Sequence, residues 1–134
     1  MEFAIGVVLA LVVSISLTLI GMDRDRSLYP VILIVIAFLY DLFAVMGGST
    51  EALIMESIAA VVFVVLSVLG FRTSLWLVVI GLAGHGVFDL FHARLINDPG
   101  VPVWWPMFCL AYDVVAAAYL AWLISRDHIR AVTA

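Results

Sequence analysis

The sequence predicts an all-α integral membrane protein, a bundle of five transmembrane helices with the N-terminus outside and the C-terminus inside. Three observations predict it. Hydrophobic residues make up 66% of the 134 residues and charged ones 12%, with a mean hydropathy of +1.27, far from the balance of a soluble domain. Five apolar runs each approach the roughly 20 residues that a bilayer demands. The arginines, finally, gather on one side of the resulting topology.

The runs cover about residues 3–20, 28–46, 52–71, 74–92 and 103–125, so that residues 1–134 form a single membrane domain. The first begins directly after Met1-Glu2, without the basic n-region and small-residue cleavage site of a signal peptide, and reads as an uncleaved span. Breaks fall at Asp23-Arg24-Asp25-Arg26, at Gly47-Gly48-Ser49-Thr50-Glu51, at Arg72-Thr73 and from Arg94 through Pro102. Lipid cannot satisfy backbone N–H and C=O groups, so each run must be helical. A β-barrel would alternate apolar and polar residues, and these runs do not. The short tail after Ser125 has no room for a soluble domain.

There is no lysine. With five spans, Arg24, Arg26, Arg72, Arg126 and Arg130 share the side of the C-terminus, and Arg94 stands alone on the other. That bias places the C-terminus inside. Trp104 and Trp105 suit an outer aromatic belt. Asp23 to Arg26 read as a solvated inner loop with its arginines near lipid headgroups. Ser14, Ser16 and Thr18 alternate along span one and read as backbone-bonded packing residues.

Within this frame His85, Asp89 and His92 stand out. At i, i+4 and i+7 they form one stripe of a helix, and ionisable groups at membrane depth are functional candidates by default. Asp41, Glu56 and Asp113 lie in the same leaflet, all within roughly 0 to 15 Å of the outer boundary. Glu51 reads as loop, and the inner half as nearly free of polar residues. Arg94 is the only fixed cation close to these acids, so counter-charge must come from protons, imidazolium groups or a bound metal.

The i, i+4 spacing of His85 and Asp89 lets both reach one ion. A divalent metal, zinc or iron, would take ligands from His85, Asp89, His92 and Asp113. Asp89, Asp113 and Glu56 are the candidates for acid–base work. Cys109, the single cysteine, excludes a disulfide framework and reads as an apolar packing residue. Ala116, Ala117 and Ala118 on span five, with Gly81 and Gly84 on span four, allow close helix approach. Spans four and five are expected to pack as neighbours.

These residues support a small integral membrane protein with an outward-facing intramembrane His/Asp site that binds a divalent metal and hydrolyses a lipid-like substrate. Two alternatives stay open: proton or cation transport through the same carboxylates and imidazoles, and a structural or accessory protein with a buried polar network. Whether the chain is an enzyme is therefore open. The bilayer and a lipid-like small molecule are the expected partners, with homo-oligomers allowed. Nucleic acid is excluded, since five inner arginines with no structured domain form no binding surface.

Three motifs also carry a resemblance. Met22-Asp23-Arg24-Asp25-Arg26-Ser27 followed by Tyr29-Pro30, then His85-Gly86-x-x-Asp89-x-x-His92, then Gly100-Val101-Pro102-x-Trp104-Trp105-Pro106-x-Phe108-Cys109-Leu110-x-Tyr112-Asp113 resemble an uncharacterised family of small bacterial multi-span inner-membrane proteins. The resemblance spans nearly the whole chain. It implies the five-span architecture and a multi-pass bacterial inner (cytoplasmic) membrane location, and no activity. The His-Gly-x-x-Asp element is also similar to histidine motifs of membrane carotenoid-cleaving dioxygenases, but this chain has too few spans and intramembrane histidines to take over that activity.

Overall fold

Five apolar helices make up most of the computed structural model, which describes residues 1–129. They are α1 (Glu2–Ile20), α2 (Leu28–Met46), α3 (Thr50–Arg72), α4 (Trp76–Leu95) and α5 (Trp105–Ser125), with a 3-10 turn at Met22–Arg24 between α1 and α2. Each is long and apolar enough to cross a membrane. The described residues contain no strand. Arg130, one of the arginines in the orientation argument, lies outside the described residues.

Local chemistry sets the helix ends. α1 stops at Gly21, whose φ of 85° is left-handed and whose N–H reaches the carbonyls of Leu17 and Thr18, a conformation that glycine adopts without Cβ strain. Ser49 caps α3 by accepting from the Ala52 N–H at 3.1 Å, as an N-cap serine does. Pro106 occupies the first turn of α5, where its missing N–H costs no hydrogen bond. The far end of α3 is closed by Arg26, whose guanidinium donates to the carbonyls of Phe71 at 2.7 Å, Thr73 at 3.0 Å and Gly70 at 3.1 Å. Arg26 thus works as a helix cap rather than as a headgroup anchor.

α4 lies centrally, packed against α5, α3 and α2, while α1 leans on α5 and α2 on α3. The expected pairing of spans four and five is present. Its close approach comes from Gly86, where a Cβ would sit 3.3 Å from Leu110 and 3.4 Å from Val114. Gly81 instead packs on Leu33 of α2, Gly84 faces open space and Ala118 is exposed. Leu33, Val78, Leu82, Leu120 and Leu123 are fully enclosed. Outward-facing positions such as Val61, Val62 and Val65 are apolar and exposed, the inverse of a water-soluble surface.

The α4–α5 connection is pinned over one end of the bundle. Gly100 presses so closely on the Phe43 carbonyl and on Gly47 that no Cβ fits there. This closes the end at which α2 and α4 finish and α3 and α5 begin.

Candidate metal centre

Ten residues separate His85 from the end of α4, and eight separate Asp113 from the start of α5, so both lie about 12 to 15 Å from the pinned end. Helix period turns His85, Asp89 and His92 inward together, and all three are buried. From α5, Cys109 and Asp113 face them with the same i, i+4 spacing.

The arrangement is tight. His85 Nδ1 lies 2.7 Å from Asp113 Oδ2 and 3.4 Å from Asp89 Oδ2. Cys109 Sγ donates to Asp113 Oδ2 at 3.8 Å. The Tyr40 hydroxyl, from α2, donates to Asp89 Oδ1 at 2.6 Å. One ligand atom from each of His85, Asp89, Cys109 and Asp113 falls within 4.8 Å of the others.

His92 joins a second pair instead. Its Nε2 lies 2.6 Å from Glu56 Oε1, and its ring stacks on Tyr40 with centroids 4.2 Å apart. It is buried, 2% exposed. Of the four expected ligands, His85, Asp89 and Asp113 come together and His92 stands apart. Of the expected acid–base residues, Asp89 and Asp113 belong to the group and Glu56 is bound to His92. Asp41 takes a hydrogen bond from Ser57 at 2.5 Å, and Glu51 is exposed in the first turn of α3.

Electrostatics leaves the group incomplete. Asp89, Asp113 and Glu56 are buried carboxyls facing two imidazoles, and no arginine pairs with them among the described residues. Even with both histidines protonated, one negative charge is left over. Burying such a charge without a partner is prohibitive, so a proton or a bound cation must complete the site. Asp89 Oδ2, Asp113 Oδ1 and Glu56 Oε2 are each buried with no hydrogen-bond partner among the described residues. Two of these three oxygens belong to the His85 group.

A tetrahedral ion with bonds of about 2.0–2.3 Å places its ligand atoms about 3.3–3.8 Å apart. The His85–Asp89 separation of 3.4 Å matches this, and Cys109 Sγ, 3.8 Å from Asp113 Oδ2, borders the remaining position. The His85–Asp113 distance of 2.7 Å is that of a hydrogen bond, in which a metal would replace the Nδ1 proton.

A second polar cluster occupies the opposite end, which the sequence suggested was nearly apolar. Asp23 is fully buried, held by the Thr18 hydroxyl and by His128 Nε2 at 2.9 Å. The Tyr119 hydroxyl is 2.7 Å from Thr18 Oγ1. Ser14 and Thr18, four residues apart, share the inward side of α1, while Ser16 is exposed. The loop reading of Asp23 fails because the turn after Gly21 folds it back under α1 and α5.

Tyr40, Cys109 and this second cluster were the residues missed by sequence reasoning. A scan against protein-family models and searches of curated proteins and of solved structures return no match.

Proposed function

We propose that this chain is an integral membrane protein that binds one divalent metal ion through His85, Asp89 and Asp113, with Cys109 bordering the fourth position. The carrying observation is the convergence of these donors with two buried carboxylate oxygens: Asp113 Oδ1, with no hydrogen-bond partner among the described residues, and Asp89 Oδ2, with only the 3.4 Å contact to His85 Nδ1. Imidazole with carboxylates, next to a thiol, suits zinc best and iron second. Tyr40 holds Asp89 by its other oxygen, the kind of outer hydrogen bond that fixes a ligand's orientation.

Three protein ligands leave a position open, the mark of a catalytic rather than a structural site. An ion there supplies Lewis acidity and a bound water of lowered pKa, which suits hydrolysis of a lipid-like ester or amide. Asp113 Oδ1 is the free carboxylate oxygen placed to take a proton. The arginine-rich end, with Arg24, Arg26, Arg72 and Arg126, supports an inside location for the C-terminus. A multi-pass location in a bacterial inner membrane rests on the resemblance of the three motifs.

X-ray absorption at the metal edge tests the site directly. The proposal expects a shell of nitrogen and oxygen alone; a sulfur neighbour would make the site a closed, structural one and remove the hydrolytic role.

One observation favours transport as a second reading. The Asp23, Thr18, Tyr119 and His128 cluster provides polar groups at the end of the bundle away from His85, so both ends carry titratable residues. Proton flux into liposomes that survives Asp89→Asn and Asp113→Asn would exclude it.

A further inference from the structure

Tyr40 reaches the metal group along the seam between α2 and α4. Gly81 has no side chain to hold Leu33 away, and a Cβ there would lie 2.5 Å from Leu33 Cδ2. Leu33 and Tyr40 are seven residues apart on α2, as Gly81 and Phe88 are on α4, so each pair shares a helix face. Two turns beyond the Leu33–Gly81 contact, Tyr40 meets Phe88 and the neighbouring Asp89.

There the ring is enclosed, 1% exposed. It stacks on His92 with centroids 4.2 Å apart, and Phe88 meets it edge-on at 5.9 Å with planes 90° apart. Phe88 also stands edge-on to His92 at 5.4 Å. His92 is held in turn by Glu56 of α3, with Nε2 2.6 Å from Oε1. Side chains of α3 and α4 thus fix where the Tyr40 hydroxyl points, and it donates to Asp89 Oδ1 at 2.6 Å.

We infer that Tyr40, braced by His92 and Glu56, sets the metal preference of the site by holding Asp89 to a single coordinating oxygen. The inference rests on the metal site of the proposed function and adds what makes that site choose zinc. A carboxylate can bind an ion through one oxygen or through both. A bond from Oδ1 to the ion would compete with the Tyr40 proton for the same oxygen. Oδ2 has no such donor, and it is the oxygen that lies 3.4 Å from His85 Nδ1.

His85, one oxygen of Asp89 and Asp113 then make three donors, with the position bordered by Cys109 as the fourth. Four positions suit zinc. Manganese favours six, mostly oxygen, and gains from a chelating Asp89. Chelation would take Oδ1 from Tyr40 and leave a buried hydroxyl without its acceptor, which is costly. His92 and Glu56 are therefore positioning residues that act through Tyr40.

The test measures zinc and manganese dissociation constants for the full chain in detergent, by competition with chelators. Cobalt(II) serves as an optical probe, because its visible band is intense when four-coordinate and weak when six-coordinate. Wild type should prefer zinc strongly and give the intense cobalt band. Tyr40→Phe keeps the ring and should weaken zinc about 10- to 100-fold, weaken manganese less, and dim the band. His92 is tested in a Glu56→Gln background, so that no buried carboxylate loses its partner. Glu56→Gln alone still accepts from His92 and should resemble wild type. Adding His92→Ala should reproduce the Tyr40→Phe effects, and adding His92→Phe, which restores a ring against Tyr40, should reverse most of them. Tyr40→Phe combined with Glu56→Gln and His92→Ala should be no worse than Tyr40→Phe, since all act through one hydrogen bond.

A zinc-to-manganese ratio and cobalt band unchanged in Tyr40→Phe would overturn the inference. So would equal weakening of both metals, or effects of Tyr40→Phe and His92→Ala that add. Wild-type protein that binds none of the three metals contradicts the metal site itself. Metal-binding wild type with a preference indifferent to Tyr40 contradicts this inference alone.

Discussion

Tyr40 stacks its ring on His92, with centroids 4.2 Å apart and planes 18° from parallel, while its hydroxyl donates to Asp89 at 2.6 Å. One side chain from α2 thereby joins two His–carboxylate pairs, His85 with Asp113 and His92 with Glu56. Tyr40→Phe keeps the ring and removes only the donor. Asp89 Oδ1 would then have no hydrogen-bond partner and Oδ2 only its 3.4 Å contact with His85, so the variant should unfold about 1–3 kcal/mol more easily. Denaturation in mild detergent measures this; an unchanged midpoint would mean that the bond contributes nothing.

His92 and Glu56 lie outside the proposed ion's ligands. Glu56→Gln should destabilise the bundle by about 1–3 kcal/mol, since it weakens a buried charge-assisted bond of 2.6 Å. It should leave metal content unchanged. Parallel loss of metal would bring His92 or Glu56 into the coordination sphere and revise the site.

Two glycines should respond oppositely to alanine. At Gly100 a Cβ collides with the backbone carbonyl of Phe43, which cannot rotate away, so Gly100→Ala should displace the loop and lower thermal stability sharply. At Gly84 a Cβ meets nothing within 4 Å, and Gly84→Ala should gain up to about 1 kcal/mol of helix propensity. Melting curves of the two variants beside the wild type decide the matter, and similar behaviour would contradict the packing.

The second polar cluster makes a separate prediction. Asp23→Ala removes the buried carboxylate that accepts from both Thr18 and His128, and losing hydrogen bonds to a charged group should cost about 1–3 kcal/mol. Because the His85 group is at the other end, the variant should retain its metal. Hydrogen exchange should show the loosening confined to the end of α1 and the last turn of α5.

Much of the fold was legible because lipid leaves few choices. Every apolar run of span length had to be helical, and the helices lie within a few residues of the positions expected. His85, Asp89 and Asp113 were legible for the same reason, as charges placed at membrane depth. Cys109 was not, since a single thiol in an apolar run looks like packing. Its spacing to Asp113 nevertheless repeats that of His85 to Asp89, and this was a usable signal. Tyr40 left no such trace: its partner depends on the rotation of α2 against α4, which composition does not encode. Asp23 was misread because its neighbours Arg24 and Asp25 are exposed, while its burial depends on His128, 105 residues away.

Orientation can be read from chemical access. In a Cys109→Ala background, Met22→Cys should react with an impermeant maleimide only after the membrane is opened, and Asn97→Cys should react in intact cells. The reverse pattern would invert the bundle and turn the His85 end toward the inside.

The most direct test of the central claim is metal content per chain, by mass spectrometry on detergent-purified protein. The account predicts close to one divalent ion in the wild type, its loss in His85→Ala and Asp113→Asn, and its retention in Cys109→Ser. No metal in wild-type protein expressed with supplemented zinc and iron would contradict it, leaving protons to neutralise the buried carboxyls.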